Sequence, residues 1–319
     1  MLYPLLKIFA RSFLLIFCRK IYINHKEVLY HPGPLLIASN HPNSFLDAII
    51  LSTLFHKPIH SLARGDAFKK PLVAYLLKSL HMLPVYRTSE GVENLEHNYT
   101  TFDACKKIFR QNGVVLIFSE GRCTNEWHLR PLKKGTARLA ISCWNDGIDL
   151  TILPCGFNYN SFRSFGKNVE LNFGTDFSKD ILEGTEGYGN RINSFNNHLQ
   201  SALREIVIEL DKNDSSSIEK RFTIPITNAE KFLLAIPSAV GFLLNAPLFL
   251  LVKWLAYARS GDSDHYDSII AGLLFIGYIF YLALFSVFVA LATTGYWWIL
   301  VWIIFPFSAW SFVRLKKQF

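Results

Sequence analysis

Charge is scarce in this chain, and paired cysteines are missing altogether. Only 18% of the 319 residues are charged, half are hydrophobic, and mean hydropathy is +0.22. A soluble domain has about 25% charged residues, so the deficit is real, and it excludes disorder and a small disulfide scaffold. The five cysteines (Cys18, Cys105, Cys123, Cys143 and Cys155) are odd in number, widely spaced and never C-x-x-C. Free thiols in a reducing compartment are expected, with neither disulfide frame nor zinc. The close histidine pair, His56 and His60, has Pro58 between its members, which denies it a helical metal-binding face, and no metal site is expected. Neither G-x-S-x-G nor H-E-x-x-H nor a P-loop occurs, against a serine hydrolase elbow, a zinc peptidase and an ATP-driven enzyme. No RNP block, zinc-finger spacing or basic heptad region is present, so the net charge of +8 points to anionic lipid or an anionic substrate rather than nucleic acid.

The missing charge is local. Residues 232–319 hold five basic side chains (Lys253, Arg259, Arg314, Lys316, Lys317) and three acidic ones (Asp262, Asp264, Asp267). The 231 residues before them are normally charged and mildly basic. From Ser268 to Val313 there is no charge over 46 residues, and Thr293-Thr294-Gly295 breaks that run. Two spans joined by a tight turn fit it, so residues 269–313 read as a helical hairpin in the membrane. Residues 232–252 are uncharged but carry Pro237, Gly241 and Pro247, and read as an interfacial or re-entrant segment. Arg314, Lys316 and Lys317 favour the cytoplasmic side, so both termini and the normally charged domain before the apolar tail are expected there. At the other end, residues 1–25 mix Leu, Ile and Phe with Lys7, Arg11, Arg19 and Lys20. They are too charged to span and suit a helix lying in the membrane interface, although a packed core helix fits the same pattern.

Residues 26–211 alternate short apolar runs with helical stretches. Strands are expected near Leu35–Ala38, Ile59–Ala63, Leu83–Tyr86, Val114–Phe118 and Thr151–Cys155, with a further one at Val169–Phe173. Helices fit Phe45–Phe55, Phe68–Ser79, Val92–Gln111, Thr136–Asn145 and Asn193–Leu210, and residues 212–231 read as a linker. The pattern predicts an α/β fold, a mostly parallel sheet flanked by helices, followed by a C-terminal α-helical membrane region.

Chemistry concentrates at the ends of the predicted strands, where α/β folds build their sites. Asn40-His41-Pro42-Asn43-Ser44-Phe45-Leu46-Asp47 leaves one strand and opens a helix. A histidine with a carboxylate one turn later is the arrangement of an oriented general base. The competing reading has Asn43 or Ser44 capping the helix while His41 merely packs. Phe118-Ser119-Glu120-Gly121-Arg122 ends a second strand, with a glycine for close backbone approach and a guanidinium suited to phosphate. Arg64 ends a third strand and Arg87 follows a fourth, so an anion pocket at this edge is plausible from placement alone. Solvated loop arginines are the alternative.

The blocks N-H-P-N-S-F-L-D-A, L-P-V-Y-R, F-S-E-G-R and I-L-P-C-G-F follow one another within residues 40–157. In that order they resemble the glycerolipid acyltransferases, a family that includes glycerol-3-phosphate and lysophosphatidic acid acyltransferases. The resemblance covers roughly residues 30–175. It implies His41 as general base with Asp47 as its partner, and Arg87, Glu120, Gly121 and Arg122 about the glycerol phosphate, where Arg64 joins them by its strand-end placement alone. Leu153 and Pro154 would support the acyl side. It implies no cofactor, with acyl-CoA or acyl carrier protein as donor substrate and membrane lipid as surroundings. Two departures stand out. Five residues rather than four separate His41 from Asp47, a spacing similar to some eukaryotic-type glycerol-3-phosphate acyltransferases, and Ser119 replaces the family's proline. One added residue rotates a helical side chain by about 100°, so the loop before the helix must absorb it. The expected activity is acylation of lysophosphatidic acid, with glycerol-3-phosphate as the alternative acceptor. A lipid ester or thioester hydrolase and a non-catalytic lipid-binding membrane protein are the rivals from other classes.

Overall fold

The computed structural model of the protein describes residues 2–86, 97–261 and 263–318. Seven strands form one sheet: β1 (Cys18–Ile23), β2 (Leu35–Ser39), β3 (Ile59–Arg64), β4 (Met82–Val85), β5 (Val114–Phe118), β6 (Thr151–Tyr159) and β7 (Lys167–Phe173). Their spatial order is β1-β7-β6-β2-β5-β3-β4. Strands β2 to β6 run the same way, β7 is antiparallel to β6, and β1 is parallel to β7. The carboxyl ends of five strands therefore share one edge with the amino ends of β1 and β7. The sheet is mostly parallel and flanked by helices, as the sequence pattern predicts.

Period-two alternation decides which residues fill each face. Leu35 and Ile37 of β2, with Val114 and Leu116 of β5, pack against α1 (Leu2–Phe17) and α2 (Phe45–Leu54). Leu36, Ala38, Val115 and Ile117 pack on the opposite face against α4 (His97–Arg110), α5 (Gly135–Asn145) and α6 (Tyr188–Ile206). Burial on both faces is why these strands read as unbroken apolar runs. A short helix, α3 (Pro71–Ser79), precedes β4 and carries proline at its start.

Several boundaries differ from those expected. The N-terminal helix stops at Phe17, and Cys18–Ile23, expected within an interfacial helix over residues 1–25, is strand β1. Arg19, counted among the interfacial charges, is buried and donates to the carbonyl oxygens of Val313 (2.9 Å) and Lys316 (2.6 Å). The expected linker, residues 212–231, contains α7 (Ser215–Phe222), whose Ile218 and Phe222 are buried. An aspartate cap at Asp214 starts it, accepting from the Ser217 N–H at 3.0 Å. Of the helix expected over 92–111, the part before His97 lies outside the described residues.

Three long apolar helices complete the chain: α8 (Asn228–Ser260), α9 (Tyr266–Ala292) and α10 (Val301–Leu315), the last entered through a 3-10 turn at Trp297–Leu300. Each is long and apolar enough to cross a membrane. Residues 232–252, expected to bend at their prolines, lie in one continuous helix with Pro237 and Pro247 inside it. A capping box between Thr227 and Glu230 starts that helix. Gly241 is in contact with the Ser308 main chain, so α10 crosses α8 closely there, and the Tyr281 hydroxyl donates to the Leu244 carbonyl at 2.6 Å. Val252 and Ala256 of α8, with Tyr266, Ile270, Ala271 and Leu274 of α9, belong to the core on the α1–α2 face. At the α9–α10 turn, by contrast, Leu291 and Tyr296 are 84% and 80% exposed. Through Arg19 the far end of α10 returns to β1, so the hairpin has both feet on the α/β domain.

Candidate active site

The site begins where β2 ends. Asn40 is buried and clamps β6, its amide donating to the Phe157 carbonyl (3.0 Å) and accepting from the Phe157 N–H (2.8 Å). The next four residues, 41–44, form a tight loop before α2. Ser44 precedes the helix with φ at 52° and ψ at −136°, a left-handed conformation that favours glycine. That turn absorbs the fifth residue between His41 and Asp47. Asp47 lies in the first turn of α2 with no exposed surface, and its Oδ2 stands 2.9 Å from His41 Nδ1. The Asn43 N–H donates to the same oxygen at 2.9 Å, and the Tyr159 hydroxyl donates to Oδ1 at 2.6 Å. Neither Asn43 nor Ser44 caps α2 through its side chain, so the capping alternative is not what this loop does.

These contacts set the proton positions. A carboxylate only accepts, so His41 presents Nδ1–H to Asp47, and in the neutral ring the lone pair is on Nε2. Burial and the Asp47 carboxylate push the Tyr159 phenol well above its ordinary range, so it remains a donor. Phe118 stacks on the imidazole with ring centroids 3.6 Å apart, fixing the ring plane. The His41 side chain is 16% exposed, and Nε2 makes no hydrogen bond to a described residue. The result is an oriented imidazole with one open ring nitrogen.

Glu120 is 5% exposed and turned inward. One carboxylate oxygen accepts from the His41 N–H and the other from the Arg130 N–H, both at 2.8 Å. Burial pushes its carboxyl up to about 7, against these two donors. Glu120 thus ties the β2 loop to the segment after β5, where Thr124 N–H and the Asn125 amide hold the carbonyls of His41 (3.2 Å) and Pro42 (2.7 Å). Gly121, at φ 73°, has the Lys133 side chain against it, where a Cβ would come within 2.9 Å of Cγ. Arg122 is exposed, with Nε 3.3 Å from the Thr124 hydroxyl. Arg64 is also at this edge, and its Nε donates to Asp66 at 3.0 Å. Arg87 lies outside the described residues. Leu153 and Pro154 pair with Ile37 and Ala38 of β2, inside the sheet.

Four partners of the dyad were not anticipated from the sequence. Tyr159 is 112 residues from Asp47 and carries no local signal. Asn43 and Phe118 fall inside the quoted blocks, but no spacing distinguishes them. Cys123 Sγ accepts from the Ser44 N–H at 3.0 Å, and burial, then the Asp47 charge, raise its thiol strongly, so it stays protonated beside the base. All five cysteines are free. Among the described residues no three His, Cys, Asp or Glu side chains gather where they could hold a metal ion.

An acyltransferase family model matches residues 20–158. No curated protein matches the chain in sequence. Among solved structures, the fold is similar to the crystal structure of the 1-acyl-sn-glycerophosphate (LPA) acyltransferase, PlsC, from Thermotoga maritima. That pair shares 12% identity with a TM-score of 0.43, over 64% of this chain and 78% of the other. The matched segment contains both strand-end blocks, with His41, Asp47, Glu120, Gly121 and Arg122. Residues 20–158, which hold these strand-end blocks, are thus similar to an acyltransferase domain.

Proposed function

We propose that this acyltransferase moves a fatty acyl group from acyl-CoA or acyl carrier protein to the free hydroxyl of lysophosphatidic acid, making phosphatidic acid. His41 Nε2 takes the hydroxyl proton as the oxygen attacks the thioester carbonyl. The tetrahedral adduct then collapses, the carbon–sulfur bond breaks, and the thiolate leaves with the proton that His41 returns. The observation that carries this reading is the buried Asp47 carboxylate with three donors on it, His41 Nδ1 among them. The same carboxylate stabilises the imidazolium formed during attack. Cys123, held as a thiol, is a poor acyl carrier, which favours direct transfer.

Arg64, Arg87 and Arg122 supply the positive edge for the acceptor phosphate, and Gly121 allows its close approach. Glu120 acts by holding the His41 main chain. The catalytic edge works at the cytoplasmic face of the membrane, where both acyl donors are found, with the apolar helices as anchor.

The test is an assay of the purified full chain in lipid with a labelled acyl donor and a panel of acceptors. Labelled phosphatidic acid is expected from lysophosphatidic acid. Product from glycerol-3-phosphate alone would transfer the assignment to that acceptor, and free fatty acid in place of either would mean hydrolysis. Equal rates with and without His41 would remove the general base.

A further inference from the structure

The foot of α9 enters the catalytic loop, and the reaction as described leaves it unused. Asp267, 2% exposed in the first turn of α9, forms an ion pair with Lys167, which opens β7 and has no exposed side-chain surface. Lys167 also donates to the Ser161 carbonyl at 3.1 Å and lies 5.6 Å from the centre of the Tyr159 ring. Asp267 Oδ2 accepts a second bond, from the side-chain amide of Asn43 at 3.0 Å. Asn43 is the residue whose main-chain N–H holds Asp47. Its own Oδ1 is buried without a partner, so the bond to Asp267 is what its side chain is there to make.

Neighbouring residues repeat the connection. The Ser268 hydroxyl donates to the Asn43 carbonyl (3.2 Å) and accepts from the Leu46 N–H (3.3 Å). His265 Nδ1 lies 2.8 Å from the Ser44 hydroxyl. Asp264 Oδ1 accepts from the N–H of Asn125 at 3.1 Å, the residue that holds the Pro42 carbonyl. Loop residues 42–46 are thus gripped from residues 264–268, around the one strained turn of the site.

Burying an ion pair is a poor way to gain stability, because desolvation costs several kcal/mol per ion, and apolar side chains of similar volume do as well or better. Ile270, Ala271 and Leu274 already fasten α9 to the core. The polar contacts are directional and converge on one loop. We propose that Asp267 is a positioning residue for acyl transfer. Through Asn43 it fixes the loop that carries Asp47 and so aims the His41 ring, which makes the α8–α9 connection part of the catalytic centre. Lys167 holds Asp267 in place. Both residues lie outside the segment matched to the family. The proposal rests on the reading of His41 and Asp47 given above.

Two cuts test it. Asn43→Ala removes only the amide and leaves the ion pair intact. Lys167→Met combined with Asp267→Leu removes both charges, so neither is left buried alone. A third protein carries all three changes, and His41→Ala runs beside them, with kcat, both KM values and the thermal midpoint measured for each. A misplaced reacting group costs up to about 100-fold, so kcat is expected to fall about 10- to 100-fold in both cut proteins, with each KM within about twofold of the parent. The triple variant should be no slower than the slower of the two, because both cuts sever one connection. A folded Asn43→Ala protein with kcat within twofold of the parent overturns the proposal, as do losses that multiply or that fall on KM alone. If the charge-free pair fails to fold, Asn43→Ala decides by itself. Full-rate cut proteins beside an inactive His41→Ala refute the positioning role only. An active His41→Ala protein overturns the general base, and the device that aims it falls too.

Discussion

Asp47→Asn separates charge from shape at the dyad. The asparagine side chain is nearly isosteric, and it can keep its oxygen towards the Asn43 N–H and His41 Nδ1. Its amide nitrogen then faces the Tyr159 hydroxyl, which can rotate to accept. The tautomer and the ring plane survive, and what disappears is the negative charge beside a ring that, in the proposed mechanism, becomes positive during attack. The 2.9 Å contact places the charge centres close together. Two unit charges about 4 Å apart attract by about 4 kcal/mol at an effective dielectric constant of about 20. One decade of rate is about 1.4 kcal/mol, so the ceiling is a loss of roughly 10³-fold. Water reaching the exposed side of the ring lowers that to about 10²- to 10³-fold. Asp47→Ala should be worse for stability as well, because it strips the buried Asn43 N–H and Tyr159 hydroxyl of their acceptor at about 1–3 kcal/mol each. His41→Ala sets the scale, with the about 10²- to 10⁴-fold typical of a lost general base. The assay is initial-rate transfer from labelled acyl donor at saturating acceptor. If Asp47→Asn retains more than a third of the parental kcat, the charge at Asp47 is not part of catalysis.

Three further outcomes are expected. Burial holds Glu120 near 7 in the fold, above its ordinary 4.5, so the folded state binds this proton more tightly than the unfolded chain. Stability should therefore be full below about 4.5 and fall by about 3 kcal/mol as pH rises to about 7, then level off. Thermal midpoints of the parent and Glu120→Gln from pH 4 to 8 test this, and parallel curves would refute it. Arg87→Lys should raise the acceptor KM more than the donor KM, since lysine cannot make the paired bonds of a guanidinium to phosphate; equal effects would remove Arg87 from the phosphate site. Reporters at the N-terminus and after Phe319 should label on the same side of the membrane, because Tyr266 and the Val313 and Lys316 carbonyls all stand against the α/β domain. Labelling on opposite faces would mean an odd number of crossings and would refute this topology.

What was legible in the sequence follows the range of each interaction. Strands β2 and β5 show themselves because both faces are buried and every residue of the run is apolar. The pairing of His41 with Asp47 shows itself because six positions along one loop and one helical turn bring them together, even though the route through Ser44 at φ 52° leaves no trace in the residue type. Strand β1 does not: in Cys-Arg-Lys-Ile-Tyr-Ile, a basic pair continues the pattern of the helix before it, and only the carbonyls of α10, almost 300 positions away, explain why Arg19 is buried. Glu120 was legible as a residue but not as a role, since a carboxylate at a strand end looks the same whether its oxygens meet substrate or backbone N–H groups. Tyr159, Lys167 and Asp267 have partners 100 or more residues away, and no period in the chain marks such pairs. Yet Asp267 did carry a signal of a different kind. It is the last charge before 46 uncharged residues, at the lip of a helix apolar enough to cross a membrane. A carboxylate at such a point needs a partner, and residues of this kind mark functional sites more often than anchors. Read that way, the boundary of the apolar run points to Asp267, and the structure supplies its partners, Lys167 and, through Asn43, the loop that holds Asp47.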